Sequence, residues 1–236
     1  SGYDGLTVDL NTKEIRNISL ESASDGEIKD TIIVMVGEDW ELWIEELLKR
    51  DLLAQGFITT NYTYIGSEVT WPIYNQGTIG RAKEDLERAA RAISQKSSKK
   101  EGAAYLAVMK GLVTQAASAI PGMSVYLSLL FKVMKDKNLH EGCIEQAYRL
   151  FSEELYSGAQ INLDPSGRIR LDTYELLKEV QEYISENWSN FNIDTMDRIA
   201  DFEGYRKDFM QIYGFDFENV DYDREVSPDS EMTLHH

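Results

Sequence analysis

Apolar and polar residues first alternate loosely: Leu6, Val8 and Leu10, then Ile15, Ile18 and Leu20, around the turn-forming run Asn11-Thr12-Lys13. A period of two predicts a short hairpin or an extended arm over residues 7–20. The period changes at Ser24. Ser24 with Glu27 is the capping-box spacing, Ile28, Ile32 and Met35 follow at helical intervals, and Gly37 stands where the residue just past a helix end is expected. Trp40, Trp43, Ile44, Leu47 and Leu48 then predict a second amphipathic helix reaching about Leu53 and stopped by Gly56.

Residues 57–65 are rich in Thr, Tyr and Ile between Gly56 and Gly66, which predicts a buried strand. A long helix is expected from near Gly77, with Ala82, Leu86, Ala89, Ala90 and Ile93 on one face and most of its charges on the other. After the polar loop 97–102, residues 103–109 read as a short apolar strand. Strand, long helix, strand is the order of a βαβ unit, so the middle of the chain is expected to form a parallel sheet with helices packed on it.

Helical spacing returns beyond Pro121, in Val125, Leu129, Phe131, Val133 and Met134 and then in Ile144, Ala147, Tyr148, Phe151 and Leu155. Residues 157–167 lose periodicity and hold the turn Asp164-Pro165-Ser166-Gly167, making them the best boundary. The expected organisation is an arm or hairpin at 1–23, a main region at 24–157 and a helical C-terminal region at 166–236. That last region has one helix through Tyr174, Leu177, Val180, Tyr183 and Ile184 and another over residues 199–213. It closes in an acidic tail, residues 216–231, on the surface.

Composition narrows the function classes. With 236 residues, 42% of them hydrophobic, the chain can bury one sizeable core without disulfides or structural metals. A net charge of −17 repels phosphate backbones and anionic lipid, which argues against nucleic acid as a partner. The lone Cys143 and the lack of a charged-then-apolar leader point to a reducing, cytoplasmic setting. Residues 111–131 carry no formal charge, but Gln115, several Ser and the Pro121-Gly122 break predict a buried loop and helix rather than a membrane span. Ser1-Gly2 and His235-His236 read as a cloning scar and a tag remnant.

Candidate chemistry concentrates in residues 62–83. No His-x-x-x-His, Cys-x-x-Cys or Gly-x-Ser-x-Gly occurs. His140 and Cys143 are two potential ligands where a structural zinc needs about four, so no metal is expected. The acidic run Asp216, Glu218, Asp221 and Asp223 lacks the glycine and terminal glutamate of a calcium loop. Tyr62, Tyr64 and Tyr74, by contrast, fall at a strand end or just before a helix. A phenol with an ordinary pKa of about 10 can serve as an acid near neutral pH when a cation stabilises the phenolate. Lys83, three and seven residues before Leu86 and Ala90, sits on the flank of the apolar stripe and is the candidate cation. Spacing alone favours the blander reading, in which Tyr74 packs at the helix start and Lys83 snorkels along the stripe, without deciding it. Gly77 and Gly80 could admit an anion to backbone N–H groups or could simply shape a turn.

Several runs resemble a known family, the trans-2-enoyl-CoA reductases with the related enoyl-acyl-carrier-protein reductases of the Tyr-x8-Lys type. They include Gly37-Glu38-Asp39-Trp40, Tyr64-Ile65-Gly66, Tyr74 with eight residues before Lys83, and Ala119-Ile120-Pro121. They continue with Leu130-Phe131-Lys132-Val133-Met134-Lys135, His140-Glu141-Gly142-Cys143-Ile144-Glu145-Gln146 and Val220-Asp221-Tyr222-Asp223. The resemblance implies an α/β fold, a partial Rossmann-like parallel sheet of the short-chain-dehydrogenase kind with flanking helices and a helical C-terminal region. It also implies NADH-dependent reduction of an enoyl thioester in fatty acid synthesis. By it Tyr74 is the proton donor, Lys83 stabilises the phenolate and contacts the cofactor, Tyr64 touches substrate, and Leu112, Val113 and Thr114 contact the cofactor. Its last region resembles a part described as flavin-binding, although no constellation in this sequence fixes a flavin. The family's upstream strand, Gly-rich turn and helix that hold the cofactor pyrophosphate have no counterpart in residues 1–60. The expectation is therefore a C-terminal portion of such an enzyme, inactive alone and partnered by the cofactor-binding portion. The contrasting expectation is a non-catalytic acidic interaction or regulatory domain that keeps the fold.

Overall fold

The structure, a computed structural model, describes residues 2–35 and 37–227. The first alternating stretch is a hairpin of β1 (Tyr3–Val8) and β2 (Ile15–Leu20), paired antiparallel from Tyr3 opposite Leu20 to Val8 opposite Ile15. Its turn is held by Asp9, whose carboxylate accepts from the N–H groups of Asn11 and Thr12 at 2.9 and 3.0 Å. The next helix, α1 (Asp25–Val34), begins with the expected capping box: Ser24 Oγ accepts from Glu27 N, and Glu27 accepts from Ser24 N.

Gly37 differs from expectation. It is the first residue of α2 (Gly37–Lys49), and α1 is capped earlier, at Met35. A Cβ at Gly37 would lie 2.2 Å from the Asp85 carboxylate, so the glycine allows close helix packing and does not end a helix. The end of α2 also comes before Leu53, because Asp51 turns the chain with φ 57° and Leu52 N bonds back to Leu47 O.

The βαβ unit is present as β3 (Ile58–Thr63), α3 (Thr78–Lys96) and β4 (Ala103–Val108), with β3 and β4 parallel from Ile58 opposite Ala103 to Thr63 opposite Val108. Alternation along β4 divides its side chains between two layers. Ala104 and Leu106 join Trp40, Ile44, Leu86, Ala89 and Ile93 beneath α2 and α3, whereas Ala107 packs with Leu150, Leu155, Ile169 and Leu171. Two helices follow, the short α4 (Gln115–Ala119), capped by Thr114, and the longer, buried α5 (Met123–Asp136). These account for the uncharged stretch 111–131, and no helix among the described residues is long and apolar enough to cross a membrane.

After α6 (Cys143–Arg149) and a wide turn through Leu155, the chain forms β5 (Arg168–Arg170), an element not expected from the sequence. It pairs parallel with β4, giving the sheet order β3-β4-β5. Its three residues show no apolar period, since Ile169 is buried between two arginines held by Asp164, Glu87 and Asp172. The C-terminal helices are α7 (Lys178–Trp188), α8 (Met196–Ile199) and α9 (Phe202–Ile212). Tyr174 and Leu177 precede α7 instead of opening it, and an extended Ala200 separates α8 from α9, which is capped by Asp201. Val180, Ile184, Phe202 and Tyr205 pack with Leu127, Phe131 and Met134 of α5 in one core. Residues 216–227 lie exposed on the surface, and the last part of the expected tail falls outside the described residues.

Candidate active site

A cavity of about 490 Å³ opens at the carboxyl ends of β3 and β4. Ligands bind at this end of parallel sheets because the strands end there in loops free to vary. Thr63 and Tyr64 follow β3, Met109, Lys110, Gly111 and Leu112 follow β4, and α4 and α6 cover the mouth with Ala117 and Ile144. Its surface is mainly apolar, with a few polar groups converging.

Tyr74 reaches this cavity from a chain of tight turns between β3 and α3. Tyr74 N bonds to Thr70 O at 2.9 Å, and Tyr74 O accepts from Gly80 N at 3.1 Å. Both glycines of the helix start are needed for this junction: a Cβ at Gly77 would meet Ile73 O at 2.6 Å and one at Gly80 would meet Asn75 O at 1.8 Å. Between the two readings open at Gly77 and Gly80, the geometry supports turn shaping. Gly66 has the same kind of role before Tyr74. Its φ of 72° is left-handed, and a Cβ there would press on Thr70 and on the Tyr64 ring.

The Tyr74 ring is buried, and its hydroxyl makes no hydrogen bond among the described residues. Burial pushes its pKa up to about 12, so the phenol keeps its proton. Lys83 is half-buried on α3 with its head at the cavity wall, 3.4 Å from Tyr62 O, and it forms no ion pair among the described residues. Burial lowers its pKa from the ordinary lysine value. Its stem follows the apolar stripe as snorkelling requires, yet its head ends in the cavity that Tyr74 lines.

Tyr64 meets Tyr74 edge to face, and its hydroxyl donates to Glu175 Oε1 at 2.9 Å. Desolvation, reinforced by the Glu175 charge, holds the Tyr64 phenol well above its usual range. Leu112 and Thr114 also line the cavity. Val113 does not bring its side chain there: it is buried in the α5 core, and its carbonyl faces Cys143 Sγ at 3.6 Å.

Two charged residues of the site escaped the sequence reading. Lys110 is 1% exposed, its Nζ donates to Gly111 O at 2.8 Å and lies 5.2 Å from the Phe131 ring centre, and burial lowers its pKa to about 8. A charge directly after the apolar run of β4 was a usable signal, because ligand crevices lie at such strand ends. Glu175 is fully buried and accepts from Gly111 N, Tyr126 Oη and Tyr64 Oη. Burial raises its pKa, while these donors and Lys110 favour the carboxylate. Its neighbours Tyr174 and Leu176 are exposed, so no local pattern marked it.

No cluster of three potential metal ligands occurs among the described residues. His140 stands edge-on to Phe131 with its ring centre 4.3 Å away. Among the described residues, no free cation for a flavin phosphate lies in the groove of the C-terminal segment beside β5. Arg168 and Arg170, which line its groove beside β5, are engaged by Asp164, Glu87 and Asp172, and the apolar side chains of α7 and α9 are packed on α5.

Comparison with known proteins bears on this geometry. A family model described as "Trans-2-enoyl-CoA reductase catalytic region" matches residues 1–156, and one described as "Enoyl reductase FAD binding domain" matches residues 163–226. The chain is 48% identical over 224 residues to a trans-2-enoyl-CoA reductase [NADH] of Ruminiclostridium cellulolyticum, covering 95% of this chain and 56% of that protein. It is 46% identical over 232 residues to an enoyl-[acyl-carrier-protein] reductase [NADH] of Saccharophagus degradans, covering 98% and 58%. The crystal structure of Treponema denticola trans-2-enoyl-CoA reductase in complex with NAD superposes with a TM-score of 0.90 at 45% identity, over 95% of this chain and 56% of that one. The chain thus spans a little over half the length of these relatives.

Proposed function

Given that this chain belongs to the trans-2-enoyl-CoA reductase family, we propose that it is the substrate-binding and proton-donating portion of an NADH-dependent reductase. Its substrate class is the trans-2-enoyl thioester, carried on CoA or on acyl-carrier protein, and its place is fatty acid synthesis. The observation that carries this reading is that Tyr74 and Lys83, nine positions apart in sequence, line the same cavity: a phenol without a hydrogen-bond partner and an ammonium without an ion pair among the described residues.

NADH, when bound, supplies the hydride that adds to the β-carbon. Lys83, Leu112 and Thr114, with the backbone at Val113, are the groups of this chain that would hold its nicotinamide end. Tyr74 hydrogen-bonds the thioester oxygen as negative charge develops there, which lowers the barrier to the enolate. The Lys83 cation stabilises phenolate character on Tyr74, so that the proton it holds can move toward the α-carbon. Tyr64 forms the wall against which the thioester lies, and Ala117 and Ile144 supply apolar lining for its acyl chain. The flavin plays no part in this scheme.

In this reading residues 24–157 are the catalytic region, residues 1–23 an arm, and residues 166–236 a C-terminal region. The upstream cofactor-binding portion is a partner without which the chain is inactive. The single Cys143 supports a cytoplasmic setting. The net charge of −17 favours a second reading, a non-catalytic acidic interaction domain. Loss of NADH absorbance with crotonyl-CoA tests both. Silence of the chain alone with recovery on adding the upstream portion supports the divided enzyme; turnover by the chain alone overturns the need for a partner. Silence of a folded, associated mixture favours the interaction domain.

A further inference from the structure

Two phenols face one another in the cavity, yet the proposed chemistry needs only one donor at the thioester oxygen. Tyr64 and Tyr74 have ring centres 5.0 Å apart. A phenol has a single O–H, so a tyrosine that donates to a protein acceptor has none left for a ligand. The Tyr64 proton is directed at Glu175 Oε1, 2.9 Å away, whereas Tyr74 makes no hydrogen bond among the described residues.

Glu175 is itself fixed. Tyr126 of α5 donates to the same oxygen at 2.5 Å, and the Gly111 N–H at the end of β4 donates to Oε2 at 2.5 Å. Gln181 Nε2 holds the Glu175 carbonyl at 2.7 Å. The donors arrive from the ends of β3 and β4 and from α5, and Glu175 comes from the segment between β5 and α7. We propose that Glu175 is a positioning residue that assigns the two tyrosines their parts: it takes the Tyr64 proton in a hydrogen bond and leaves Tyr74 as the phenol that donates to bound thioester. The region after β5 thereby contributes to catalysis by setting the hydrogen-bond direction inside the cavity. This inference rests on the enoyl-thioester reading above.

The test uses the full-length enzyme containing this chain, with NADH and crotonyl-CoA. Glu175→Gln replaces a pure acceptor by a group whose amide competes for the same positions, so Tyr64 is freed to donate toward the thioester. The expected result is a loss of about tenfold in kcat/KM. In a Tyr64→Phe background, which has no hydroxyl to misdirect, the same substitution adds less than about a twofold change. Tyr64→Phe alone raises KM about fivefold with kcat changed less than about threefold, whereas Tyr74→Phe collapses kcat. Equal losses from Glu175→Gln in both backgrounds would mean a merely structural role and overturn the proposal. A kcat loss in Tyr64→Phe as deep as in Tyr74→Phe overturns it too, and that comparison decides the matter if Glu175→Gln does not fold. A wild-type enzyme that fails with crotonyl-CoA and longer enoyl-CoA substrates removes the functional reading itself and this inference with it.

Discussion

The ring of Tyr64 meets that of Tyr74 at an interplanar angle of 83°, and the two hydroxyls have opposite fates: one is bonded to Glu175, the other makes no hydrogen bond among the described residues. The edge contact fixes the Tyr74 ring without using its proton, which suits a group that must present that proton to a ligand.

Tyr74→Phe therefore separates stability from turnover. In the full-length enzyme kcat is expected to fall about 10²- to 10⁴-fold, the usual worth of a positioned acid. The melting temperature should hold, because the variant removes a hydroxyl that faces the cavity and makes no hydrogen bond among the described residues. Steady-state kinetics and thermal melts of the same preparations check both halves. Since burial places the Tyr74 pKa at about 12, the wild-type rate should show no loss of this acid between pH 6 and 9.

Gly80→Ala tests the junction that delivers Tyr74. The added methyl would sit 1.8 Å from Asn75 O, a backbone atom that cannot swing aside. A cost of about 1–3 kcal/mol is expected from overpacking, with a larger fall in activity than the stability loss alone explains. Denaturant melts and kcat/KM decide it, and an unperturbed variant would show that the turn is looser than its geometry implies.

How much of this was legible depended on local pattern. The βαβ core could be read because α3 carries a clear period of 3.6 and β4 is a short apolar run after a polar loop, whereas Tyr74 and Lys83 were singled out by the family resemblance, their spacing alone leaving the matter open. Gly37 misled because a glycine that permits close packing on Asp85 has the same spelling as one that ends a helix. β5 was illegible because three residues flanked by paired arginines have no period to detect, and its partner β4 lies some 60 residues away in sequence. Val113 shows what position alone does not tell: of three consecutive residues, the middle side chain turns into the α5 core. Glu175 is the clearest case. Its meaning comes entirely from donors at positions 64, 111 and 126, which only the fold brings to it.

Lys110 makes a prediction about pH and stability. Burial lowers its pKa from the ordinary 10.5 to about 8. Between these values the unfolded chain holds the proton and the folded one does not, so stability rises with pH across this window. Lys110→Met lacks that contribution. The stability of wild type relative to the variant should increase from pH 8 to 10.5, by on the order of 1–3 kcal/mol given full burial. Urea melts across the range measure it, and a pH-independent difference would contradict a buried, depressed lysine.

His140 makes the complementary prediction on the acid side. Its ring stands 4.3 Å from Phe131, whose face also receives Lys110 Nζ at 5.2 Å and Lys135 Nζ at 5.3 Å. Protonating His140 would add a third cation around one ring in a half-buried place, where its Nδ1 has no partner among the described residues. Burial first, and then the charges of Lys110 and Lys135, lower its pKa from 6.5 to about 4. Between those values the unfolded chain takes up a proton that the folded chain refuses, so this site costs stability as pH falls from about 6.5 toward 4. His140→Leu keeps the apolar contact with Phe131 and removes the titration. Its melting temperature should fall less than that of wild type on moving from pH 7 to pH 4.5, and parallel curves for the two proteins would show that His140 takes its proton as readily folded as unfolded.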